Sequence, residues 1–461
     1  MSAQILDTPV LVRPQSAGSA RPAVPRTATS IIVAVTVTAS LAPGLLPRTS
    51  LTQAMFTGIA AALALGLSAL HHRIVSRIAV PSVRPVVRKF ALCSSVTAIS
   101  VAAVIDAGWQ NELRAAMATE PTPPMHWVEV WCGAISICAI MVVIGVALVR
   151  GGRRLGRTRT VCAILVAGLA SYLVVLPTAW SSLTDRFAAS NAKIDSSLTI
   201  PLTPNKSGGI GSLVGWDDLG REGRKFVSGG TDADAVRTYV ALDAAPSAAA
   251  RAQIAVDELA HSGGLAKSHV VVAVPTGSGW VDENAVSGIE DRFDGDVATV
   301  ALQYSYQPSW ATFLLAKTEA KNSATALLDA VRTAIAELPA ASRPDLYVYG
   351  QSLGSIGGSA AVAANPEGIC GTLWAGPPAG EVVSGSAVVL ANTSDPVVRW
   401  STELLTSPPN LDGARVDGPV PQWIPVVSYL QTTVDLMSAL NAPAGHGHRY
   451  GSDQGTLLPE C

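Results

Sequence analysis

The sequence predicts a helical membrane unit followed by an α/β domain with a mostly parallel sheet. Apolar residues are concentrated before residue 184, strand and helix patterns alternate after residue 230, and a β-type run leads directly into Gly-x-Ser-x-Gly. Apolar residues make up 49% of the 461-residue chain, more than in an ordinary soluble protein. A net charge of −2, without a basic stripe of interleaved aromatics, gives no basis for a nucleic-acid partner.

The first half contains five stretches that could cross a bilayer, which requires about 20 mostly apolar residues. The first stretch is the weakest, because Pro43 and Gly44 interrupt it. The last two are the strongest, with long runs that carry no charge. The five stretches are approximately 30–46, 51–70, 90–107, 127–149 and 161–183.

This pattern divides the chain into four parts. We expect a cytoplasmic tail at 1–30 and a membrane domain at 31–183. A segment rich in Ser, Gly, Asn, Asp and Pro at 184–230 is typical of a linker with little regular structure. The α/β domain then covers 231–461.

Arginine and lysine predict the orientation. The N-terminal tail and the second and fourth connections are strongly cationic, whereas the first and third connections carry only Arg48 and Arg114. Cationic connections stay in the cytoplasm. We therefore expect a multi-pass protein of the cell membrane with its N-terminus inside and the α/β domain on the extracytoplasmic side. Asp106 and Glu129 fall near the outer ends of apolar stretches, where we interpret them as hydrated.

Only two of the six cysteines, Cys370 and Cys461, belong to the predicted exported domain. An oxidising exterior favours a disulfide between them. No cysteine or histidine spacing indicates a zinc or iron–sulfur site, and we expect no metal and no cofactor.

Strand and helix patterns alternate through the second half. Such alternation predicts a parallel sheet with right-handed crossovers, and the active site of such a sheet lies beyond the carboxyl ends of its strands. The predicted helices are 247–262, 311–338 and 352–364. The predicted strands are 236–242, 269–274, 297–303, 346–349, 371–374 and 387–391.

Ser352 lies at the centre of Gly350-Gln351-Ser352-Leu353-Gly354, directly after a predicted strand. This motif suits a nucleophile on a tight strand-to-helix turn, and the partners of such a serine follow in the order acid, then histidine. Asp395 follows the last predicted strand and is the expected acid; Asp435, in an apolar helix-like segment, is the fallback.

The only histidines after Asp395 are His446 and His448, in a glycine-rich turn near the C-terminus. Either could serve as the base. We favour His448, because His446 could then brace the turn by hydrogen bonding. A surface turn or a chance metal pair would explain the same His-x-His pattern, but no third ligand lies nearby in the sequence.

An oxyanion formed at the substrate needs backbone donors. We expect one from Leu353 and the other from Gly277 or Ser278, in the glycine-rich loop after strand 269–274. Aromatic residues follow the same strand ends, and these are candidates for an apolar acyl pocket, although ordinary packing explains any one of them: Trp280, Tyr304, Trp310, Trp374 and Trp400.

The chain resembles a family of actinobacterial membrane proteins with an N-terminal multi-helix domain and a C-terminal α/β-hydrolase domain. The resemblance rests on Leu41-Ala42-Pro43-Gly44-Leu45-Leu46-Pro47-Arg48 in the membrane half and on six segments of the second half, which are Pro275-Thr276-Gly277-Ser278-Gly279-Trp280, Gln303-Tyr304-Ser305-Tyr306 with Pro308-Ser309-Trp310, Gly350-Gln351-Ser352-Leu353-Gly354, Leu373-Trp374-Ala375-Gly376-Pro377-Pro378, Ser394-Asp395-Pro396 and Gly445-His446-Gly447-His448-Arg449-Tyr450. It implies a serine hydrolase with the α/β-hydrolase fold and a triad of Ser352, Asp395 and one of the paired histidines. The stretch between Pro378 and strand 387–391 is short, which implies that any substrate-covering element there is trimmed.

We therefore expect a membrane-anchored serine esterase or lipase acting on a small-molecule or lipid-like apolar acyl ester or thioester. An acyltransferase with the same triad is the first alternative, since only the acceptor of the acyl group differs. The second alternative is a membrane binding protein that keeps a hydrolase-like domain without catalysis. The sequence leaves the substrate and the oligomeric state open.

Overall fold

The computed structural model describes residues 24–76, 84–229, 232, 234–383 and 385–461. Its first half is helical. Helix α2 begins after Thr49, whose side chain accepts from the Thr52 N–H, and α3 begins with a proline. A π-helical turn joins α5 to α6, so that the two form one long helix. The helices are α1 Thr27–Ser40, α2 Ser50–Val75, α3 Pro85–Ala116, α4 His126–Leu155, α5 Arg157–Ala170 and α6 Leu176–Ala192.

Four helical stretches among the described residues are long and apolar enough to cross a membrane: α2, α3, α4 and the continuous stretch Arg157–Ala192. The sequence predicted five. The difference lies in α1, which has only 14 residues and so measures about 21 Å at 1.5 Å per residue, less than the hydrocarbon core of a bilayer. Residues 41–49, which the prediction partly included in the first span, form a loop instead.

Small residues bring α2 and α4 together side by side. A Cβ on Gly58 would lie 2.8 Å from the Ala134 carbonyl oxygen, and one on Gly133 would lie 2.8 Å from the Ala54 side chain. Close approach at small residues is a common way of packing membrane helices. The pairing runs parallel, because Ser50 at the start of α2 donates to Glu129 at the start of α4 over 2.6 Å.

Asp106 in α3 is 1% exposed, so the interpretation of this carboxyl as hydrated is wrong. It lies within the packed helices, close to Gln110 in the next turn of α3 and to Arg48. The reason is that the loop between α1 and α2 packs on this part of α3, where the Arg48 N–H donates to Gln110 and Trp109 donates to the Gly44 carbonyl. Glu129 differs, since its hydrogen bond to Ser50 is solvent-exposed.

The second half is built on a six-stranded sheet in the order β1-β3-β2-β4-β5-β6, in which every pairing is parallel. This confirms the α/β prediction. The central strands are almost fully buried because helices cover both faces, as a parallel sheet requires. The strands are β1 Val236–Val240, β2 His269–Val274, β3 Val297–Leu302, β4 Asp345–Gln351, β5 Gly371–Ala375 and β6 Val388–Leu390.

Helices cover the two faces of the sheet. Helices α8, α11 and α12 pack against each other on one face, and α9 and α15 pack together on the other, where Tyr349 of β4 donates to Gln454 over 2.7 Å. The predicted helix 311–338 is two helices in the structure, broken at Ala316. The helices not yet defined are α7 Gly220–Ser228, α8 Ala248–His261, α9 Glu283–Arg292, α10 Ser309–Leu315, α11 Lys317–Glu337, α12 Leu353–Ala364, α13 Pro396–Arg399, α14 Val427–Leu436 and α15 Asp453–Thr456.

The segment predicted as a linker is packed against the sheet. Helix α6 continues into it as far as Ala192, and Lys206 pairs in parallel with Arg237 of β1. Helix α7 lies so close to β1 that a Cβ on Gly223 would meet the Tyr239 ring at 2.4 Å. Helices α6 and α7 thus occupy both ends of this segment, and the part between them lies along the edge of the sheet.

Cys370 and Cys461 form a disulfide, with their Cα atoms 5.0 Å apart. Cys370 directly precedes β5, and its N–H donates to the Leu346 carbonyl of β4 over 2.7 Å. The disulfide therefore attaches the C-terminal residue to the amino end of the sheet, opposite the end where the catalytic candidates lie.

Candidate active site

Ser352 occupies a strained turn between β4 and α12. Its φ of 52° and ψ of −122° are unfavourable for a residue with a side chain, and such a conformation costs about 1–3 kcal/mol. A Cβ on Gly350 would lie 2.6 Å from the Gly354 carbonyl carbon, and one on Gly354 would lie 2.1 Å from the Val274 carbonyl oxygen. Only glycine fits at both positions, and the turn leaves Ser352 partly exposed between buried neighbours.

Asp395 and His448 form a buried pair. Asp395 is 0% exposed and His448 is 5% exposed, and the Asp395 Oδ2 lies 2.7 Å from the His448 Nδ1. Since a carboxylate only accepts, Nδ1 carries the proton, and Nε2 on the other side of the ring is left as an acceptor. The second carboxylate oxygen, Oδ1, accepts from the Val397 N–H in the first turn of α13 over 2.8 Å.

Tyr450 is a third member of this cluster, and the sequence analysis did not assign it a role there. Its hydroxyl donates to Asp395 Oδ2 over 2.7 Å. Burial and the neighbouring carboxylate raise the pKa of this phenol well above 10. The hydroxyl therefore stays protonated and keeps donating at any pH near neutrality.

The segment Ala375–Gly376 connects the serine to the histidine. The Ser352 N–H donates to the Ala375 carbonyl over 2.9 Å, and a Cβ on Gly376 would meet the His448 ring at 2.9 Å. The Gln351 side chain also donates to the His448 carbonyl, over 3.4 Å. The histidine ring thus lies beside the residues that hold Ser352. The serine hydroxyl makes no hydrogen bond to a described residue in this state.

His446 has a different partner. Its Nδ1 donates to the Asp417 backbone carbonyl over 2.7 Å. The Asp417 carboxylate accepts from the N–H of Ser394 over 2.9 Å and from the N–H of Gly447 over 3.0 Å. His446 is therefore tied to the network that holds the two loops of Asp395 and His448 together.

Asp435, the fallback acid, is committed elsewhere. Its Oδ1 accepts from the Arg48 Nη2 over 2.8 Å, and its Oδ2 accepts from the Leu45 N–H over 2.7 Å. Both donors belong to the loop between α1 and α2. With its oxygens occupied by the membrane domain, Asp435 is excluded as the partner of a catalytic histidine.

The predicted oxyanion donors lie at the carboxyl ends of β2 and β4. Leu353 is the first residue of α12, so its N–H has no acceptor within the helix. The loop with Gly277 and Ser278 lies directly beside this turn, since a Cβ on Gly354 would come within 3.1 Å of the Pro275 carbonyl. Neither Gly277 nor Ser278 donates its N–H to another described residue.

Two buried side chains that the sequence analysis did not single out fix this loop. Tyr239 of β1 donates to the Gly279 carbonyl over 2.8 Å, and Gln303 donates to the Ser278 carbonyl over 2.7 Å. Both hydrogen bonds hold the carbonyls of this loop in fixed positions. In the sequence, both could have been found as polar residues near the carboxyl ends of apolar strands.

The aromatic candidates separate into different environments. Trp374 is 1% exposed and packs under α12, where a Cβ on Gly358 would meet its ring at 2.6 Å, so its assignment to a substrate pocket is wrong. It points to the helix-covered face because of its register in β5. Tyr304 is buried against Leu353, whereas Trp280 is half-buried.

Two further aromatic candidates lie away from this cluster. Trp310 is 62% exposed. Trp400 stacks on Tyr429 with ring centroids 5.7 Å apart and donates to Thr433 of α14 over 2.9 Å. Trp400 thereby anchors α14 to the end of α13.

The fold and this residue cluster define an α/β-hydrolase domain. The chain belongs to the Alpha/beta-hydrolase family: the model of that family matches residues 236–388 and 381–458. A second model, for the N-terminus of an alpha/beta-hydrolase family, matches residues 41–230, and this region contains the four long apolar helices expected of a membrane domain. The chain matches no curated protein and no solved structure.

Proposed function

We propose that the chain is a membrane-anchored serine hydrolase that cleaves an ester or thioester of an apolar acyl substrate. The observation that carries this proposal is the buried hydrogen bond of 2.7 Å between His448 Nδ1 and Asp395, in a loop that also contacts the strained turn of Ser352. A binding protein has no need of an oriented imidazole beside an exposed serine.

The chemistry follows from the roles that this geometry supports. His448 Nε2 takes the proton of Ser352 as the oxygen attacks the carbonyl carbon, and Asp395 stabilises the imidazolium that forms. The N–H of Leu353 and that of Gly277 or Ser278 stabilise the oxyanion. His448 then gives the proton to the leaving alcohol or thiol, and water releases the acyl group from Ser352 by the reverse sequence.

We infer that the catalytic domain lies on the extracytoplasmic side. The supporting observation is that the start of α2, the start of α4 and the α1–α2 loop meet at the end of the membrane domain that contacts the catalytic domain. The last turns of α2 and α4, which carry Arg73, Arg153 and Arg154, therefore lie at the opposite end. This is the cytoplasmic end by the distribution of positive charge.

The test is labelling of the purified, detergent-solubilised full-length protein with a fluorophosphonate probe. We expect the wild type to be labelled and Ser352→Ala to be unlabelled. Ser342→Ala, at an exposed serine on the opposite side of β4, should be labelled like the wild type. A p-nitrophenyl ester series then measures the preferred acyl length. A folded wild type that is not labelled would rule out the hydrolase and favour the binding protein.

A further inference from the structure

A cleft lies where the catalytic domain meets the membrane domain. Pro43, Gly44 and Leu45 of the α1–α2 loop form one side, and Arg399 and the segment from Leu404 to Thr432 form the other. The empty space, counted to the open mouth, is about 300 Å³. This is enough for a small polar group. The cleft is one turn of α13 away from Asp395 and is separate from Ser352.

Arg399 is buried in this cleft without a partner. Its side chain is 7% exposed, and it makes no hydrogen bond or ion pair with any residue that the structure describes. Burying a guanidinium whose N–H groups have no acceptor is costly. Burial lowers the pKa of the guanidinium to about 10, so it is still charged at neutral pH.

The carboxylates of Asp435 and Asp417 attract Arg399, but neither accepts a hydrogen bond from it. Asp435 is occupied by Arg48 at 2.8 Å, and Asp417 accepts from the loops of Ser394 and Gly447. The charge of Arg399 is therefore balanced only from a distance, and its N–H groups are left without an acceptor among the described residues. A planar guanidinium in such a position suits an oxyanion, which it can bind through two parallel hydrogen bonds.

Gln431 adds an unsatisfied acceptor to the same cleft. Its side-chain nitrogen donates to the Ala39 carbonyl of α1 over 2.7 Å. Its Oε1, however, is buried and has no hydrogen-bond partner among the described residues. An acceptor of this kind is satisfied by an O–H or N–H from a ligand or a water. The cleft thus combines a site for an anion with a site for a donor group.

The surroundings of the cleft indicate a membrane surface. The segment that lines it belongs to the catalytic domain but contacts the loop between α1 and α2, at the end of the membrane helices. Exposed apolar side chains on a segment next to membrane helices are typical of contact with lipid. Six of them are between 43% and 74% exposed: Val416, Val420, Ile424, Val426, Leu430 and Met437.

We propose that this cleft binds the anionic headgroup of a membrane lipid, with Arg399 holding the phosphate and Gln431 accepting from a headgroup hydroxyl. Free phosphate offers the same oxyanion, but it would not use the apolar rim. The assignment does not depend on the hydrolase activity, because none of its contacts involves Ser352.

The experiment measures the thermal unfolding of full-length Ser352→Ala protein in detergent, which separates binding from turnover. The probes are short-chain phosphatidylglycerol, short-chain phosphatidylcholine and inorganic phosphate at equal concentrations. A ligand that binds only the native state stabilises it by RT ln(1 + [L]/Kd), so the tighter ligand gives the larger rise in melting temperature. We expect phosphatidylglycerol to stabilise the protein clearly more than the other two.

Variants of Arg399 test whether the stabilisation by phosphatidylglycerol depends on this residue. In the Ser352→Ala background, Arg399→Gln should weaken the apparent affinity for phosphatidylglycerol by about tenfold or more, and Arg399→Lys by less, because lysine keeps the charge but not the paired donors. Arg332→Gln is the matched control, since Arg332 lines a different groove, at the amino end of β4. It should respond like the background protein.

Three results would overturn the proposal. These are an equal response to phosphatidylcholine, an equal response to inorganic phosphate, and an undiminished response in a folded Arg399 variant. If Arg399→Gln does not fold, the comparison of the three probes and the Arg399→Lys variant still test the proposal. Loss of fluorophosphonate labelling at Ser352 would leave this result untouched, so the two proposals can fail separately.

Discussion

At the residue scale, the two neighbouring histidines have the same side chain and opposite surroundings. His448 is buried against the Asp395 carboxylate, whereas His446 donates to a backbone carbonyl in a network centred on Asp417. The carboxylate orients the His448 ring and stabilises its cation. The backbone contact of His446 serves to hold the turn in place.

We predict that His448→Gln lowers the rate of fluorophosphonate labelling by about a thousandfold or more, since the serine loses its base. His446→Gln should keep most of the rate, because glutamine can still donate to the Asp417 carbonyl. Rates of labelling at pH 7 measure both, and melting temperatures check that each variant folds. The reverse order of the two effects would assign the base to His446.

At the scale of elements, the turn between β4 and α12 shows how a local motif depends on its neighbours. Gly354 is required because the end of β2 passes beside it, with the Val274 carbonyl only 2.1 Å from the position of a Cβ. The glycine spacing of the motif therefore reflects the packing of two adjacent strands as well as the conformation of the turn.

Overpacking of a core typically costs about 1–3 kcal/mol. We predict that Gly354→Ala destabilises the protein by more than this, because the new methyl group meets the Val274 backbone carbonyl, which cannot rotate away as a side chain could. The labelling rate should fall as well, since either β2 or the Ser352 turn must move. Thermal unfolding and labelling measure the two effects. Gly108→Ala is the control, as nothing lies within 4 Å of a Cβ there. Equal behaviour of the two variants would contradict the prediction.

At the scale of the whole molecule, the segment between Asp395 and His448 joins the two halves of the chain. It includes α14, whose Asp435 pairs with Arg48 of the membrane domain with exposures of 0% and 1%. Leu46 of the same loop packs against Gly447, where a Cβ would approach it within 3.0 Å. The membrane domain therefore supports the turn that carries the catalytic histidine candidates.

We predict that Arg48→Gln lowers the free energy of unfolding by about 3–5 kcal/mol, because it leaves a buried carboxylate unpaired. Lys317→Gln is the matched control: its ion pair with Glu381, at 2.6 Å, is partly exposed, and exposed pairs contribute about 0–1 kcal/mol. Thermal unfolding in detergent measures both. A loss in Arg48→Gln no larger than that in Lys317→Gln would mean that the junction contributes little.

Alkaline pH should destabilise the catalytic domain. Burial raises the pKa of Tyr239, Tyr349 and Tyr450 well above 10, whereas these phenols ionise near pH 10 in the unfolded chain. The unfolded state therefore loses protons above about pH 10 that the native state retains, and stability that is fully present below that pH falls as the pH rises. Melting temperatures between pH 8 and 11 measure this, and a flat profile would contradict it.

The sequence by itself determined the features that depend on neighbouring residues. The apolar runs gave the strands almost residue by residue, since a strand buried on both faces needs a continuous apolar stretch. The Gly-x-Ser-x-Gly motif gave the turn of Ser352, because both glycines lie within two residues of the serine. Asp395 was predicted from its position after the last strand, and the paired histidines were predicted because they are the only histidines after it.

Only the tertiary structure decided the features that join distant parts of the chain. It separated His448 from His446 by their partners, placed Trp374 in the core, and showed that Asp435 pairs with Arg48 across 387 residues. It also shortened the first predicted span, because α1 ends in a loop that is held by the catalytic domain. The physical reason is common to all of them: a side chain's role depends on the donors, charges and packing around it, and these come from residues that are close in space and remote in sequence.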